Sequence, residues 1–303
     1  MSITEEFNRL ITEGRNPKTL DLDLLDTEDL VRRIQAEDFS VAEAVEKVLP
    51  QIAQAVDLIT QRLKSGGRLI YFGAGTSGRL GILDATECVP TFSSEPEQVQ
   101  GFIAGGKEAV FRSSEGAEDL EENGVKDAIT AKLSTKDVAV GIAASGRTPY
   151  VIGALRKAKE LGSATIAVTN TPSSLTNLCD VTITAITGPE ALTGSTRMKA
   201  GSAQKMILNL LSTCTMIRLG KAYENLMVDV KPASVKLHER AISIISTITN
   251  ASRQTAEEAL SASQNRPKIA ILMIKRKLNK AQAEELLTKY GGSLRKALLA
   301  PDN

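Results

Sequence analysis

Between residues 68 and 186, short apolar runs alternate with segments in which apolar residues recur at helical spacing. The runs are apolar throughout, which is typical of strands buried on both faces. This order predicts an α/β fold, a doubly wound parallel sheet flanked by helices, in which ligands bind beyond the carboxyl ends of the strands. The predicted strands are Arg68–Phe72, Val99–Ala104, Val138–Ile142, Ala164–Thr169 and Val181–Ile186.

The same periodicity predicts the helices. An amphipathic run covers Val41–Lys64, with a break at Pro50 and an end at Gly66–Gly67. The other predicted helices are Ser77–Leu83, Gly124–Lys132, Pro149–Leu161, Leu175–Leu178, a strongly apolar helix over Ser202–Gly220 and one that runs from Pro232 to about Ile248.

Changes in character along the chain predict three parts. Residues 1–40 are polar and irregular, with a short helical patch at Thr27–Gln35, and resemble an arm that wraps another surface. Residues 41–250 form the α/β domain, and residues 251–303 form a small helical subdomain. The helices predicted for that subdomain are Arg253–Ala262, Lys268–Lys277, Lys280–Tyr290 and Ser293–Leu299.

Composition excludes several classes of function. Among 303 residues, 37 Lys and Arg balance 36 Asp and Glu, so no overall basic field points to nucleic acid, and any anion site must be local. The N-terminus lacks a basic region followed by an apolar core, and no apolar run reaches the length that crosses a membrane. We therefore expect a cytoplasmic protein without membrane or nucleic-acid partners.

The cysteine and histidine counts restrict the chemistry further. Cys88, Cys179 and Cys214 stand alone, so neither a disulfide framework nor a zinc knuckle is expected. The single histidine, His238, lies among charged residues that are typical of a solvated helix face. We expect no metal site, because no cluster has the spacing of metal ligands. Acid–base work must then depend on carboxylates.

Three loops that follow predicted strands share glycines, hydroxyl side chains and a cation. They read GAGTSGR (Gly73–Arg79), ASGRTP (Ala144–Pro149) and TGSTR (Thr193–Arg197). Glycine lets backbone N–H groups approach an anion closely, and Ser and Thr donate hydrogen bonds to phosphate oxygens. Pro149 suits the first turn of a helix. The pattern predicts a site that holds a phosphate group without a metal.

The first loop also matches GxGxxG, the dinucleotide fingerprint, which is a weak signal alone. The loop is rich in hydroxyls, and no acidic residue clearly ends the second predicted strand at the usual distance. The phosphate-loop pattern of nucleoside triphosphatases fails, because Arg79 follows Gly78 where Lys is required. A dinucleotide oxidoreductase is therefore the least favoured alternative.

Longer strings around these loops resemble sugar-isomerase (SIS) domains, which bind phosphosugars, and among them the N-acetylmuramic acid 6-phosphate etherases, which are related to glucokinase regulatory proteins. The resemblance covers nearly the whole chain. The strings are GAGTSGRLG (Gly73–Gly81), EGAED (Glu115–Asp119), AASGRTPY (Ala143–Tyr150), GPEALTGSTR (Gly188–Arg197) and YENLMVDV (Tyr223–Val230).

This resemblance implies a SIS-like fold and a lyase that cleaves the D-lactyl ether of N-acetylmuramic acid 6-phosphate. The implied products are N-acetylglucosamine 6-phosphate and D-lactate, formed by elimination and then addition of water. The family implies no cofactor or metal, a homodimer and a role in the recycling of cell-wall sugars. The helical tail resembles ubiquitin-associated folds, which is an analogy of fold and not of function.

By the same resemblance, Glu87 and Glu118 form the catalytic pair. The aldehyde of the open-chain sugar acidifies the C2 hydrogen, which a base must remove, and the lactyl oxygen on C3 leaves poorly unless an acid protonates it. One carboxyl group must then be neutral and the other charged, so their surroundings must separate their pKa values. We assign Glu87 as the acid and Glu118 as the base, with the reverse assignment left open.

The predicted substrate-binding residues lie in the three loops. Those expected at the phosphate are Ser77, Ser145, Gly146 and Thr148, with Gly75, Thr76 and Arg147 in the same loops and Ser195 and Thr196 at the sugar end. Two roles stay open for the cations of these loops, which are to bind the lactyl carboxylate or to form structural ion pairs. The cations are Arg79, Arg147, Arg197 and Lys199. Two other functions stay open: a phosphosugar sensor, which needs the loops without the glutamates, and a phosphosugar isomerase, which needs a base and no leaving group.

Overall fold

A parallel sheet forms the centre of the α/β part of the chain. The computed structural model describes residues 11–232 and 234–301, and within them five strands lie in the order β2-β1-β3-β4-β5, all parallel. Their bounds are β1 Leu69–Gly73, β2 Val99–Ile103, β3 Val138–Ile142, β4 Ala164–Thr169 and β5 Val181–Thr184. The predicted α/β class and all the predicted strands are confirmed.

The strand order reverses between β1 and β3. The chain runs from β1 outward to β2 and then returns to add β3 on the other side of β1. In open α/β sheets, the loops on either side of such a reversal form the crevice in which ligands bind. The first and second hydroxyl-rich loops follow β1 and β3, so both lie at this point.

The helices before residue 219 follow the predicted pattern with shifted ends. The bounds are α1 Thr27–Glu46, α2 Leu49–Lys64, α3 Gly75–Phe92, α4 Glu108–Phe111, α5 Glu121–Thr130, α6 Pro149–Glu160, α7 Leu175–Leu178 and α8 Lys199–Arg218. Short 3₁₀ helices at Ile11–Glu13, Pro17–Thr19 and Leu22–Leu24 precede α1. Pro50 lies in the first turn of α2, so the predicted break in the amphipathic run is confirmed.

Every residue of β1, β3 and β4 is buried, because helices cover both faces of the sheet. Phe72 of β1 and Leu155 of α6 share one core with residues of β3 and β4, and Phe72 stacks on Phe102 of β2 at 5.4 Å. Burial of one such large side chain stabilises the fold by about 1.5–3 kcal/mol. This rigid layer holds the loops at its carboxyl edge.

The helix α1 is longer than the predicted patch at Thr27–Gln35. It continues to Glu46 because Glu37, in its middle, is buried and pairs with Lys199 at 2.8 Å. In the sequence, a charged residue such as Glu37 interrupts the apolar periodicity and favours a loop. The partner that allows its burial, Lys199, lies 162 residues away. The predicted helical patch at Thr27–Gln35 is confirmed, the irregular structure predicted for residues 36–40 is wrong, and residues 1–10 lie outside the described part.

By their internal contacts, the residues divide into two compact units. The first contains residues up to Thr86 and Glu97–Ser212, and the second contains Glu87–Pro96 and the residues from Thr213 onward. The helices α3 and α8 continue from one unit into the other. The predicted division at residues 40 and 250 stays a prediction.

The second unit has its own helical core. The remaining helices are α9 Val235–Thr249, α10 Arg253–Ala262, α11 Pro267–Arg276, α12 Lys280–Lys289 and α13 Leu294–Leu298. Their apolar faces pack around Ile245, Leu260 and Ile271, together with Val228 and Val230 of the preceding segment. The predicted C-terminal helices are confirmed.

Candidate active site

The first loop turns the chain sharply from β1 into α3. Gly73 and Gly78 approach each other so closely that a Cβ atom on Gly78 would lie 2.7 Å from the carbonyl oxygen of Gly73. Gly75 begins the helix at φ +50°, and Thr76 and Ser77 follow in the first turn. The N-terminus of α3 therefore faces the carboxyl edge of the sheet, in the position that suits an anion.

The second loop gives a matching turn after β3. Gly146 has φ +64°, and a Cβ atom there would lie 2.4 Å from the Cβ atom of Ser173. Ser145 accepts a hydrogen bond from the backbone N–H of Arg147 at 3.2 Å. Thr148 is the N-cap of α6 without a capping side-chain hydrogen bond, so the first turn of this helix is also open to an anion.

Glu118 lies between these two loops. Its carbonyl oxygen accepts a hydrogen bond from the backbone N–H of Tyr150, in the first turn of α6, at 3.0 Å. Its side chain also lines a cavity of about 250 Å³ with Ala74, Gly75 and Arg79 of the first loop. The structure thus brings Glu118 to the strand-order reversal, where the fold predicts a ligand.

The surroundings of Glu118 raise the pKa of its carboxyl group. Glu118 is exposed at the rim of the cavity, yet the atoms packed around the carboxyl group desolvate it, and the charge of Asp119 adds to the effect. A raised pKa makes a carboxylate a stronger base near neutral pH. Glu118 therefore has the property that proton transfer requires.

Arg79 holds the far wall of this cavity. Its guanidinium group donates hydrogen bonds to the carbonyl oxygens of Ala109 at 2.8 Å, Val110 at 2.9 Å and Arg112 at 3.2 Å. These carbonyls lie at the end of α4, from which the chain leads to the turn that carries Glu118. The geometry favours structural pairing for Arg79 over binding of the lactyl carboxylate.

A chain of hydrogen bonds links the first loop to the end of β4. The Ser77 hydroxyl donates to Gln204 Oε1 at 2.8 Å, Gln204 Nε2 donates to Asn170 Oδ1 at 3.0 Å, and Asn170 Nδ2 donates to the carbonyl oxygen of Ala185 at 2.9 Å. Ser77 can therefore donate to a phosphate only after it releases Gln204. Sequence reasoning missed Asn170 and Gln204, although Asn170 directly follows a predicted strand, which is a signal that could have found it.

Behind the first loop, α3 carries a buried carboxyl group. Asp84 accepts hydrogen bonds from the Tyr71 hydroxyl at 2.8 Å and the Ser212 hydroxyl at 2.9 Å. Burial raises the pKa of Asp84 to about 6, and the two hydrogen bonds oppose the shift. The group fixes α3 to β1 and α8.

The third loop is anchored by a buried ionic cluster. Glu190 accepts hydrogen bonds from the backbone N–H groups of Lys199 and Ala200, both at 2.9 Å, and so caps α8. The Lys199 ammonium group pairs with Glu37, which also accepts from Asn16 Nδ2 at 2.6 Å. Burial would raise the pKa of Glu37, but these contacts outweigh it and the pKa is lowered. Lys199 therefore serves structural pairing.

Ser195 and Thr196 lie half-buried in this loop and are near the first one. The carbonyl oxygen of Thr196 accepts a hydrogen bond from the N–H of Gly201 at 2.9 Å, and a Cβ atom on Gly201 would lie 3.3 Å from the Thr76 methyl group. Arg197 is exposed. Each of the three loops therefore contributes predicted residues to the same edge of the sheet.

Glu87 belongs to the second unit. It lies on the last turns of α3, one turn after Asp84, and is exposed in the single chain. Its role in catalysis stays a prediction.

The described residues also bear on two other classes of site. They hold no group of three or more His, Cys, Asp or Glu side chains that could bind a metal ion. None of the helices in this part of the chain combines the length and apolar character needed to cross a bilayer.

Comparison with protein families gives two matches. The glucokinase regulatory protein N-terminal SIS domain matches residues 51–159, and the SIS domain matches residues 111–213. A phosphoheptose isomerase from Francisella tularensis superposes with a TM-score of 0.50 and 18% identity, covering 64% of this chain and 100% of that one. This likeness concerns the fold alone.

Curated relatives match nearly the full length. N-acetylmuramic acid 6-phosphate etherase 2 of Vibrio cholerae is 54% identical, over 96% of this chain and 95% of the relative. The N-acetylmuramic acid 6-phosphate etherase of Caldanaerobacter subterraneus is 51% identical, over 98% and 97%. With its SIS-like sheet and its hydroxyl-rich loops, this chain belongs to the N-acetylmuramic acid 6-phosphate etherase family.

Proposed function

We propose that this protein is a carbon–oxygen lyase that cleaves the D-lactyl ether of N-acetylmuramic acid 6-phosphate to N-acetylglucosamine 6-phosphate and D-lactate. Identity of 50% or more with etherases over nearly the whole chain supports the substrate and reaction. The observation that carries the chemistry is the position of Glu118, which accepts a backbone hydrogen bond from Tyr150, directly after the second loop, and lines a cavity with the first loop.

The reaction proceeds through elimination followed by addition of water. Glu118 removes the C2 hydrogen, which the aldehyde of the open-chain sugar acidifies, and the electron pair forms a C2–C3 double bond. The C3–O bond breaks, and Glu87 gives its proton to the departing oxygen, which becomes the hydroxyl of D-lactate. Water then adds its oxygen to C3 while C2 regains a proton. The two carboxyl groups exchange their protonation states in this second half.

Glu118 suits the role of base because its pKa is already raised in the single chain. A base is most effective when its pKa approaches the operating pH, since it is then both deprotonated and strongly proton-attracting. The turn that carries Glu118 lines the cavity together with Arg79, whose three carbonyl contacts keep the wall of the cavity in place.

Glu87 must be protonated to act as the acid, and desolvation is the usual cause of that state. Glu87 is exposed in the single chain, so the substrate or a second copy of the chain must supply the desolvation. A homodimer, which the family resemblance implies, fits this requirement. Light scattering after gel filtration tests the dimer, and a monomer at working concentration would contradict it.

The phosphate lies against the first turns of α3 and α6. There the backbone N–H groups at the helix ends and the hydroxyls of Thr76, Ser145 and Thr148 surround it, and Ser77 joins them once it releases Gln204. Gly146 allows the second loop to turn close to the anion. Ser195 and Thr196 contact the sugar. No cofactor takes part, and the reaction occurs in the cytoplasm.

Release of D-lactate from N-acetylmuramic acid 6-phosphate tests the proposal. The wild type and Glu122→Gln, an exposed position on α5, should form one lactate for each N-acetylglucosamine 6-phosphate. Substrate binding without lactate would instead favour the phosphosugar sensor, a function to which the match with a regulatory protein domain also points. An isomeric phosphosugar as the product would favour an isomerase.

A further inference from the structure

The second unit contains a cavity of about 770 Å³ that shares no residue with the cavity at Glu118. Four segments of this unit converge on it: residues 93–96, 219–232, 264–269 and 287–292. The volume falls within the range typical of small-molecule sites, which is roughly 300–1,000 Å³.

Two ammonium groups at this cavity share one carboxylate. Lys268 Nζ lies 2.6 Å from Asp229 Oδ2, and Lys221 Nζ lies 3.4 Å from the same oxygen atom. Lys268 is only 5% exposed, so its charge is poorly screened by water. One unit of positive charge is therefore left without a counterion between these three groups.

The other charged groups that line the cavity do not remove this excess. Glu95 and Lys231, both exposed, add one negative and one positive charge to the lining and so leave its net charge unchanged. Arg266 pairs with Glu284, which lies outside the cavity lining, at 2.7 Å. The cavity keeps a net positive charge, and burial lowers the pKa of Lys268 while Asp229 opposes the shift.

The cavity also offers neutral donors. Ser94 is 5% exposed, lines the cavity and has a buried hydroxyl group with no hydrogen-bond partner. The neighbouring Ser93 donates to the carbonyl oxygen of Asp229, which holds this serine turn beside the shared carboxylate. The helix α11 begins at Pro267 on the same wall, and its N-cap residue, Arg266, makes no capping side-chain hydrogen bond.

We propose that this cavity binds the phosphate group of a small phosphorylated metabolite, held by Lys221 and Lys268 and by the Ser94 hydroxyl. Ammonium groups, a hydroxyl and the open N-terminus of a helix are the donors that proteins use for phosphate. The phosphate adds the missing counterion to the Lys221–Asp229–Lys268 group. This site is separate in its residues from the proposed substrate site.

Site-specific protection of lysines from acylation, read by mass spectrometry on the full chain, tests the proposal. Inorganic phosphate and N-acetylglucosamine 6-phosphate should each slow the acylation of Lys221 at least fivefold, whereas D-lactate should not. The exposed Lys236 of the same unit serves as the control and should react at an unchanged rate. Protection by N-acetylglucosamine 6-phosphate alone would identify a sugar phosphate as the occupant, and equal rates for Lys221 with and without both phosphates would overturn the proposal.

Calorimetric titration of variants with inorganic phosphate is the second test, in which the wild type should show two binding events. Lys221→Met should lose one of two binding events, and Lys236→Met should keep both. Ser145→Ala, in the proposed substrate site, should weaken the other event only, so failure of either site is distinguishable. Lys268 is avoided because it is buried and also donates to the carbonyl oxygen of Gly292, so its loss would disturb the fold, and Ser94→Ala replaces Lys221→Met if that variant does not fold. Unchanged stoichiometry and affinity in the folded variant would contradict the second site.

Discussion

The first and third loops at the carboxyl edge of the sheet contain the same kinds of residues and use them differently. Glu190 and Lys199, which flank the third loop, are buried: the Glu190 carboxylate accepts a hydrogen bond from the Lys199 backbone N–H, and Glu37 is the counterion of the Lys199 ammonium group. In the first loop, Thr76 and Ser77 stay half-buried beside a cavity that Glu118 also lines. The third loop is fixed by buried charges on both of its flanks, and the first loop borders a cavity.

This difference shows that the residue composition of a loop does not determine its function. Gly, Ser, Thr and a cation occur in both loops, and the difference comes from a residue beside the third loop, Lys199, whose partner lies far away in the chain. Glu37 is 162 residues from Lys199, and no local pattern predicts that pair. The variants below test whether the third loop is an anchor and the first loop region is the site of chemistry.

The largest effect is expected at Glu118. Glu118→Gln keeps the shape of the side chain and removes proton transfer, so kcat should fall by about 10²–10⁴-fold. The thermal midpoint should stay unchanged because the group is exposed. Steady-state release of D-lactate measures the effect, with Glu122→Gln as the matched control. A loss of less than about fivefold, against the expected range, would remove Glu118 from the reaction.

Disruption of the third-loop anchor should affect stability first. Lys199→Met leaves the carboxylate of Glu37 buried without its main partner, which typically costs about 3–5 kcal/mol of the free energy of unfolding. Urea denaturation measures it, with Lys126→Met, at an exposed position, as the control. The double variant Lys199→Met with Glu37→Gln should recover part of the loss. If Lys199→Met unfolds like the wild type and only weakens substrate binding, the residue contacts the lactyl carboxylate instead.

The buried carboxyl groups behind the two loops should respond to pH in opposite directions. Asp84 has a folded-state pKa of about 6, above its ordinary value of 3.8, so its contribution to stability is present at low pH and is lost as pH rises from about 4 to 6. The loss is at most about 3 kcal/mol. Glu37 has a lowered pKa, so its contribution is present above pH 4.5 and is lost as pH falls.

Denaturation of Asp84→Asn and Glu37→Gln at several pH values separates these two cases. Relative to the wild type, Asp84→Asn should become more stable as pH rises towards 6. Glu37→Gln should become less stable as pH rises towards 4.5, where the wild-type carboxylate gains its charge. A rise in the relative stability of Glu37→Gln over this range would contradict the stabilising pair of Glu37 with Lys199.

The smallest effect is expected at Arg79. Lysine cannot reproduce a guanidinium fork that reaches three carbonyl oxygens, so Arg79→Lys should loosen residues 108–118 and lower kcat about tenfold, with KM little changed. Hydrogen exchange of that segment should quicken. Arg112→Lys is the control because its side chain is exposed. A large rise in KM with unchanged kcat would mean that Arg79 binds substrate.

The sequence predicts the sheet well because its signal is local. Val138–Ile142 and Ala164–Thr169 are continuous apolar runs, and the structure has strands with the same bounds. The approach of Glu118 to both loops is not local, because it depends on a backbone hydrogen bond from Tyr150 and on the strand order. Only the resemblance to the etherases singled out Glu118, which lies in an acidic turn like many solvated glutamates. The bonds of Arg79 to backbone carbonyls have no sequence signal at all.

Isotope incorporation tests the central claim most directly, which is that Glu118 starts an elimination across C2–C3 at the reversal of the strand order. In deuterated, ¹⁸O-labelled water, the wild type should yield N-acetylglucosamine 6-phosphate with deuterium at C2 and ¹⁸O at C3, and D-lactate without ¹⁸O. Glu118→Gln should lose the exchange at C2 together with the release of lactate. Label in the lactate, or full C2 exchange by Glu118→Gln, would contradict the account.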